Sequence, residues 1–310
     1  LNSVTVNYKL SENGELTFKN YTYYKKEAGL KGSLKNLFHR EKLIKKAVQN
    51  LSIKIPKGAI VGLIGLNGAG KTTTLKMLTG IIMPTSGKVD VLGYFPFDKK
   101  KEYLRRIAMV MGNKSQLWWD LPALDTFELN KIIYEIDDLE YKNTLNSMIE
   151  IMGVEKQLNV QVRRLSLGER MKMELIASLI HKPDIVFLDE PTSGLDPTTS
   201  KKIHKLLQEL KERGTTIFLT THDMNEATLL CDNLALLNKG DLIEQGSPGE
   251  IIQKYNTEKN VAVTYSDSTK KVVRFEDLQQ EDYKKMMTIH SCEPTLEDIF
   301  IKLTGEKLDV

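Results

Sequence analysis

Three short runs of apolar residues stand out along the chain. They read GAIVGLIG at 58–65, DIVFLDE at 184–190 and TTIFLTTHD at 215–223, and each passes into a polar or glycine-containing turn. Continuous apolar runs of this length, rich in Val, Ile and Phe, are typical of strands buried on both faces. The pattern predicts a mostly parallel sheet with helices between its strands, and the ligands of such sheets bind at the carboxyl ends of the strands.

Helical spacing replaces the strand-like runs from about residue 114 to residue 181. The segments DTFELNKIIYEI and EYKNTLNSMIEIMGV lie in this region and predict helices. We therefore expect a helical subdomain, at about 114–181, inserted between strands of the sheet.

The pattern of apolar and polar residues changes again after SPGEIIQKY. The segment VAVTYSDSTKKVVRF predicts a hairpin across a Ser-Asp-Ser turn. The segment EPTLEDIFIKLTG predicts a closing helix that begins at Pro294 and Thr295, with Asp298 completing a capping box. These boundaries predict a first domain over 1–255 and a small accessory module over 256–310.

Composition restricts the class of protein. A chain of 310 residues, 41% hydrophobic and 27% charged, can bury one large core or two modest ones. No apolar stretch approaches the roughly 20 residues of a membrane-spanning helix. The net charge of +3 is too small to indicate nucleic acid, and none is expected as a partner. Cys231 and Cys292 lie far apart and form no disulfide framework or metal-ligand spacing, so we expect a reducing cytosol.

A basic segment, KKEAGLKGSLKNLFHREKLIKK, covers residues 25–46. Leu30, Leu34, Leu37 and Phe38 fall at helical spacing with lysines between them, which predicts a short amphipathic helix. Two interpretations stay open: the helix packs on its own domain with a solvated polar face, or it lies against lipid headgroups or a membrane partner.

The loop that follows the first apolar run carries the strongest chemical signal. Its glycines, Gly65, Gly68 and Gly70, allow a tight concavity of inward-pointing backbone N–H groups, and Lys71 adds a cation at the start of the next helix. Such a loop holds a triphosphate, and the Thr72 hydroxyl stands where a phosphate-bound Mg²⁺ would bind. The predicted nucleotide-binding residues are Gly65, Leu66, Asn67, Gly68, Ala69, Gly70, Lys71, Thr72 and Thr73.

A nucleotide hydrolase also needs a second strand that brings a carboxylate to the metal and a base to the attacking water. The run DIVFLDEP supplies two acids at its end. We expect Asp189 to hold Mg²⁺ and Glu190 to polarise the water as a general base.

With these motifs in place, the chain resembles the ATP-binding subunit of an ABC transporter over roughly residues 15–250. LSLGER at 165–170 is similar to that family's signature loop, commonly LSGGQ. The resemblance implies that Ser166 and Gly168 bind the γ-phosphate of a nucleotide held by a second subunit. It also implies the fold: a P-loop NTPase with a mostly parallel α/β core, an inserted α-helical subdomain, an N-terminal antiparallel β region and a small C-terminal α+β module.

Two further landmarks follow from the same resemblance. SGLD at 193–196 is similar to the family's D-loop, where Asp196 would communicate between the two nucleotide sites. His222 stands where the family places its switch histidine, which contacts the γ-phosphate and steadies Glu190.

The adenine-stacking aromatic and the Q-loop residue have alternatives. NYTYYKK offers Tyr24 for the base, with Tyr23 as the alternative. Counting from the strand RIAMVM places Asn113 where the family has glutamine, as a ligand of Mg²⁺ or the water, with Gln116 as the fallback. Because asparagine is one methylene shorter than glutamine, it would reach the metal or the water only after the loop shifts.

The resemblance also implies partners and a location. They are a membrane permease encoded as a separate chain, a second ATPase subunit in a homo- or heterodimer, and the cytoplasmic face of the membrane. Trp118 and Trp119 lie where the family docks its permease, and aromatic residues are favoured interface anchors, although ordinary core positions would also suit them. The main prediction is an exporter ATPase. The alternatives are a soluble ABC-type ATPase without a membrane partner, or a nucleotide-binding regulator that hydrolyses weakly.

Overall fold

A computed structural model describes residues 47–49, 51–112, 114–257, 259–281 and 283–306, together with the backbone of short strands at 4–7, 23–24 and 42–43. Asn113 and the side chain of Tyr24 lie outside the described residues. The residues Leu30 to Phe38 that predict the basic helix lie outside them too, and of the basic segment at 25–46 only the strand Lys42–Leu43 is described.

The centre of the molecule is a six-stranded sheet with the strand order β11-β10-β5-β9-β8-β7. All neighbouring pairs are parallel except β10 and β11, which are antiparallel. The three apolar runs form β5, β8 and β9, and every residue in these strands is buried, so the predicted sheet is confirmed. The strands of this sheet are β5 (Ile60–Ile64), β7 (Ile107–Met111), β8 (Ile185–Asp189), β9 (Thr216–Thr221), β10 (Asn233–Asn238) and β11 (Asp241–Gly246).

Helices cover both faces of this sheet because alternate side chains of each strand point to opposite faces. Ile217 and Leu219 of β9 belong to one hydrophobic cluster, while Phe218 between them belongs to a second cluster on the other face. Each such large side chain contributes about 1.5–3 kcal/mol when fully buried. The helices are α1 (Lys71–Leu78), α2 (Lys101–Leu104), α3 (Ala123–Tyr134), α4 (Asp138–Met152), α5 (Leu167–Leu179), α6 (Pro197–Glu212), α7 (Met224–Leu230), α8 (Pro248–Tyr255) and α9 (Leu296–Thr304).

A smaller antiparallel sheet carries the N-terminal β region. Its order is β4-β1-β6, with β1 at Val4–Asn7, β4 at Ile53–Ile55 and β6 at Lys88–Asp90. A separate pair joins β2 (Tyr23–Tyr24) to β3 (Lys42–Leu43). Together with the central sheet, this arrangement agrees with the predicted P-loop NTPase fold.

Helices α3, α4 and α5 fill the chain between β7 and β8. Asp137 caps α4 by accepting hydrogen bonds from the backbone of Leu139 and Glu140, and Gly153 ends the helix in the left-handed conformation. Buried residues of all three helices, including Phe127 and Met148, join the hydrophobic cluster on one face of the central sheet. Both helical segments predicted from the sequence are present, while the subdomain boundaries themselves stay a prediction.

The C-terminal part contains three strands, β12 (Asn260–Tyr265), β13 (Lys270–Arg274) and β14 (Met286–Cys292). They form an antiparallel sheet of order β13-β12-β14. β12 and β13 form the predicted hairpin. Thr295 caps α9 in the predicted capping box with Asp298. Leu296, Ile299 and Phe300 of this helix are buried in the core of the central sheet. The closing helix therefore packs on the first domain, which the sequence did not predict.

Among the residues that the structure describes, no helix combines the length and the apolarity needed to cross a bilayer.

Candidate functional site

The predicted site residues meet at the carboxyl ends of strands in the central sheet. β5, β9 and β8 are adjacent and parallel, so their carboxyl ends lie side by side. The glycine-rich loop follows β5, Asp189 ends β8, and His222 follows β9.

The glycine-rich loop has the backbone that its sequence requires. Gly68 and Gly70 have φ angles of 84° and 107°, a region that side chains disfavour. A Cβ atom on Gly65 would lie 2.3 Å from the carbonyl oxygen of Leu237, so only glycine allows β10 to approach this closely. Helix α1 begins at Lys71 directly after the loop and directs its positive N-terminal end into it.

The Lys71 side chain folds back over the loop. Its Nζ donates to the carbonyl oxygen of Gly65 at 2.7 Å and lies 3.3 Å from Oε1 of Glu190. Only 5% of the lysine is exposed. A buried ammonium group at a helix N-terminus provides the positive charge that an anionic phosphate requires.

The Thr72 hydroxyl and the Asp189 carboxylate are in direct contact. Thr72 Oγ1 donates to the carboxylate at 2.9–3.0 Å, and Thr220 Oγ1 donates to Asp189 Oδ1 at 2.6 Å. A hydroxyl beside a carboxylate is a set of hard oxygen donors that fits Mg²⁺. The described residues contain no cluster of three or more His, Cys, Asp or Glu suited to a metal. An ion held by these two side chains keeps coordination positions open for phosphate oxygens.

Glu190 occupies a strained backbone position. Its φ is 52°, a left-handed value that a non-glycine residue adopts at a cost of order 1–3 kcal/mol. Its N–H donates to the carbonyl oxygen of Thr220 at 3.0 Å, which anchors the turn to β9. Strain of this kind is common where a side chain must be aimed at a ligand.

His222 lies beside the same carboxylate. Its Nδ1 is 3.4 Å from Oε2 of Glu190, longer than a well-formed hydrogen bond, and 42% of its side chain is exposed. The two carboxylate oxygens of Glu190 thus face different groups, Lys71 on one side and His222 on the other. The arrangement places a carboxylate beside the lysine of the phosphate loop.

The segment after β7 is held between β8 and α5. Gly112 N–H donates to the carbonyl oxygen of Asp189 at 3.2 Å, directly before Asn113, whose role stays a prediction. The Gln116 amide donates to the carbonyl oxygen of Glu174 on α5 at 3.0 Å. The Glu174 carboxylate accepts hydrogen bonds from the Gln116 N–H, at 3.2 Å, and from the Ser115 hydroxyl. Gln116 is therefore engaged with α5, and its predicted part in catalysis would require that bond to open.

The signature segment forms the N-terminus of α5. Ser166 and Glu169 make a capping box, in which Ser166 Oγ donates to Glu169 Oε2 at 2.9 Å and accepts from the Glu169 N–H at 3.3 Å. The backbone N–H of Ser166 lowers the pKa of Glu169 below its ordinary value, and Gln157 and the Ser166 hydroxyl add to this effect. A Cβ on Gly168 would lie 3.2 Å from Thr199 on α6, so glycine permits close packing of the two helices.

Asp196 caps α6 in the structure. Its carboxylate accepts from the backbone of Thr198 and Thr199, both at 3.0 Å, and the hydrogen bonds from Thr199 lower its pKa. Its predicted role in communication between sites stays a prediction.

Two aromatic predictions have different outcomes. For the adenine-stacking residue, the structure gives only the backbone pairing of Tyr24 with Lys42 and of Tyr23 with Leu43, so the choice between the tyrosines stays open. Trp118 and Trp119 are each 51% exposed, which makes them surface residues, and the Arg170 guanidinium lies 5.3 Å from the Trp119 ring centre.

Sequence reasoning missed Thr220 and Glu226. Thr220 is a polar residue within an apolar strand, and this contrast was the signal available for it. Glu226 lies on α7 and accepts hydrogen bonds from Thr192, His204 and Thr221. No sequence spacing marks these partners, because they come from three different segments.

Known proteins are similar to this chain over most of its length. A family model described as ABC transporter matches residues 48–193. The chain is 33% identical over 290 residues to the bacitracin transport ATP-binding protein BcrA of Bacillus licheniformis, covering 84% of this chain and 93% of that protein. It is 32% identical over 228 residues to the ABC transporter ATP-binding protein NatA of Bacillus subtilis (strain 168), covering 74% and 92%.

A solved structure gives the same result at the level of the fold. A dimeric ATP-binding cassette in a post-hydrolysis state with ADP and Pi superposes with a TM-score of 0.61 at 26% identity, covering 75% of this chain and 97% of that one.

Proposed function

The chain belongs to the ATP-binding subunits of ABC transporters, and from this premise we propose that it drives export through a separately encoded permease at the cytoplasmic face of a membrane. It binds and hydrolyses ATP in a transporter of the exporter type. The observation that carries the mechanism is the contact chain Lys71–Glu190–His222 beside the pair Thr72–Asp189. These side chains lie beside the phosphate-binding loop.

ATP binds with its phosphates in the loop at 65–73. The backbone N–H groups of the loop and the N-terminus of α1 bind the phosphate oxygens. Lys71 then exchanges its contact with Glu190, now 3.3 Å long, for a charge-assisted hydrogen bond to phosphate. This exchange releases the Glu190 carboxylate to bind water.

Thr72 and Asp189 would hold Mg²⁺, and Asn113 is predicted to bind it as well. When bound, the ion neutralises charge on the phosphate oxygens. The Thr220 hydroxyl, 2.6 Å from Asp189 Oδ1, fixes the orientation of the carboxylate.

Hydrolysis proceeds by in-line attack of water on the γ-phosphorus. Glu190 accepts a proton from the water as its oxygen bonds to phosphorus and the bond to the ADP oxygen breaks. His222 lies against the other carboxylate oxygen of Glu190 and orients it toward the water. The products are ADP and inorganic phosphate.

A second ATPase subunit, identical or different, completes each site. Ser166 and the N–H groups at the start of α5 bind the γ-phosphate of the nucleotide held by the opposite subunit. The hydrogen bonds described for Ser166 all lie within the first turn of its own helix. Its hydroxyl would therefore turn away from Glu169 to reach phosphate.

The permease docks beside Trp118 and Trp119. Both indole side chains are half exposed, and Trp119 lines an open cleft of about 320 Å³ together with Lys114 and Arg170. Exposed aromatic residues beside a cleft are favoured anchors for a partner. The cleft borders both the segment after β7 and α5, the helix that begins with the signature segment. A movement of the bound permease would therefore shift both.

Purification of the tagged full-length chain from detergent-solubilised membranes of its own cells tests the partnership. We expect a polytopic membrane protein to copurify with the wild-type chain and to be lost from a Trp118→Ala, Trp119→Ala double variant. Phe275→Ala removes a comparably exposed aromatic side chain, 59% exposed, from the C-terminal module and should retain the partner. Absence of any membrane protein from the wild-type sample would instead indicate an ATPase that acts alone.

A further inference from the structure

A buried carboxylate on α7 links the turn that contains the candidate base, Glu190, to the end of β9 directly before His222. Glu226 is 6% exposed. Its Oε1 accepts from Thr192 Oγ1 at 2.5 Å and from His204 Nε2 at 2.8 Å, and its Oε2 accepts from Thr221 Oγ1 at 2.9 Å. The three partners come from the turn after β8, from α6 and from the end of β9. One side chain thus ties three segments together.

Each of the two loop contacts lies next to a residue of the site. Thr192 follows Glu190 by two positions, and Thr221 directly precedes His222. The residue after His222 is held as well, because the Asp223 N–H donates to Thr221 Oγ1 at 3.0 Å. The Asp223 carboxylate in turn accepts from the backbone N–H of Glu226 at 3.0 Å. The backbone on both sides of His222 is therefore anchored to the start of α7.

The network is built for an ionised carboxylate. Burial opposes ionisation of Glu226, but hydrogen bonds from His204, Thr192 and Thr221 outweigh it and keep its pKa below the ordinary value. A buried acceptor with three donors allows little movement of the loops it joins.

From this geometry we infer that Glu226 is a positioning residue for ATP hydrolysis, which sets the placement of Glu190 relative to His222. The inference rests on the proposed roles of those two residues. Glu226 acts through Thr192 and Thr221, and its described hydrogen bonds do not include the phosphate loop at 65–72. Loss of its carboxylate should slow the chemical step and leave nucleotide binding intact.

Steady-state ATP hydrolysis by the purified full-length chain tests this role. For Glu226→Ala we expect kcat to fall about tenfold or more, since small displacements of catalytic groups have effects of this size or larger. The KM for ATP and the affinity for a fluorescent ATP analogue should stay within about twofold of wild type. Glu226→Gln keeps one acceptor oxygen, and its amide can donate to the Thr221 hydroxyl. This variant should recover kcat to within about threefold of wild type.

Asp232→Ala is the matched control. Asp232 joins α6 to the central sheet at the amino end of β5, away from the candidate site. Its carboxylate accepts from Lys211 Nζ at 2.5 Å and from the Ile60 N–H at 2.9 Å. This variant should lower the melting temperature without changing kcat. An equal fall in kcat in the two alanine variants, at equal loss of melting temperature, would show a structural role only and overturn the inference.

Two further variants resolve the remaining outcomes. If Glu226→Ala does not fold, Thr192→Val decides, since it removes one donor at nearly constant volume: a lower kcat at unchanged KM supports the role, and wild-type kcat overturns it. Glu190→Gln is measured beside them. An active Glu190→Gln protein would refute the proposed base itself, whereas an inactive one beside a fully active Glu226→Ala protein would overturn only the positioning role.

Discussion

The ammonium group of Lys71 lies 3.3 Å from the carboxylate of Glu190, although Glu190 comes 119 positions later in the sequence. The lysine is buried and the glutamate is partly exposed, at 5% and 27% of their side-chain areas. The proposed phosphate-binding cation and the proposed base therefore neutralise each other before a nucleotide enters. Binding of ATP would separate this pair and prepare the base.

Lys71→Ala should weaken ATP binding by about tenfold to a hundredfold, since hydrogen bonds to charged groups contribute about 1.5–3 kcal/mol. Titration with a fluorescent ATP analogue measures the affinity. Lys76→Ala removes a partly exposed lysine from the same helix and should bind ATP like the wild type. Equal affinities for all three proteins would contradict the assignment of Lys71.

Glu190→Gln should lower phosphate release by about a hundredfold or more while ATP binding is retained, because a general base typically contributes 10²- to 10⁴-fold to the rate. Glu209→Gln, at a comparably exposed carboxylate on α6 paired with Arg213, is the control and should hydrolyse ATP normally. The measurement is steady-state phosphate release at saturating ATP. Matching rates for wild type and Glu190→Gln would mean that another group takes the proton.

Ser166→Arg should abolish ATP-driven dimerisation while the monomer still binds ATP, because a long cationic side chain would occupy the helix N-terminus that the opposite nucleotide needs. Size-exclusion chromatography with ATP, in the Glu190→Gln background, measures the dimer. Ser247→Arg is a close control, since Ser247 caps α8 through the same kind of capping box with Glu250. Both variants should lose about 1 kcal/mol of helix capping, and only Ser166→Arg should lose the dimer.

Glu226 should stabilise the fold at neutral pH and lose this effect in acid. Its pKa is lowered from the ordinary 4.5, so on acidification the unfolded chain takes up the proton before the folded chain does. Stability from this group is present above the unfolded pKa and is lost as the pH falls through the lower, folded pKa.

Urea unfolding of wild type and Glu226→Gln from about pH 6 to about pH 3.5 checks the sign. The wild type should be more stable near pH 6, and its advantage should shrink below about pH 4.5. Ser178→Ala, which removes a buried hydroxyl that does not titrate, should differ from wild type by the same amount at each pH. A wild-type advantage that grows in acid would show that the Glu226 pKa is raised.

The parts of the candidate site that consist of neighbouring residues were predictable from the sequence. Such parts include the glycines before Lys71, the acids that end β8 and the histidine after β9. Each is a short motif whose residues are close together in the chain, so the sequence shows its spacing directly. The same holds for the buried strands, for the capping box of α9 and for the β12–β13 hairpin, whose residues are neighbours in the chain.

Contacts between distant segments were not predictable. Gln116 was the fallback for the Q-loop position, yet its amide bonds to Glu174, 58 positions later on α5. Helix α9 was expected in a separate module, yet its apolar face packs into the core of the central sheet. An amphipathic pattern shows that a face is buried and leaves open which surface buries it.

By itself, the sequence determined the parallel sheet, the glycine-rich loop and the identity of the groups at the strand ends, because continuous apolar runs and glycine placement are patterns of a few neighbouring residues. Only the tertiary structure decided that Lys71 and His222 contact opposite oxygens of Glu190, and that Glu226 joins the two loops beside them. Those distances depend on how the strands are ordered and how α6 and α7 pack against them, and side-chain contacts across such an interface are set by the whole fold.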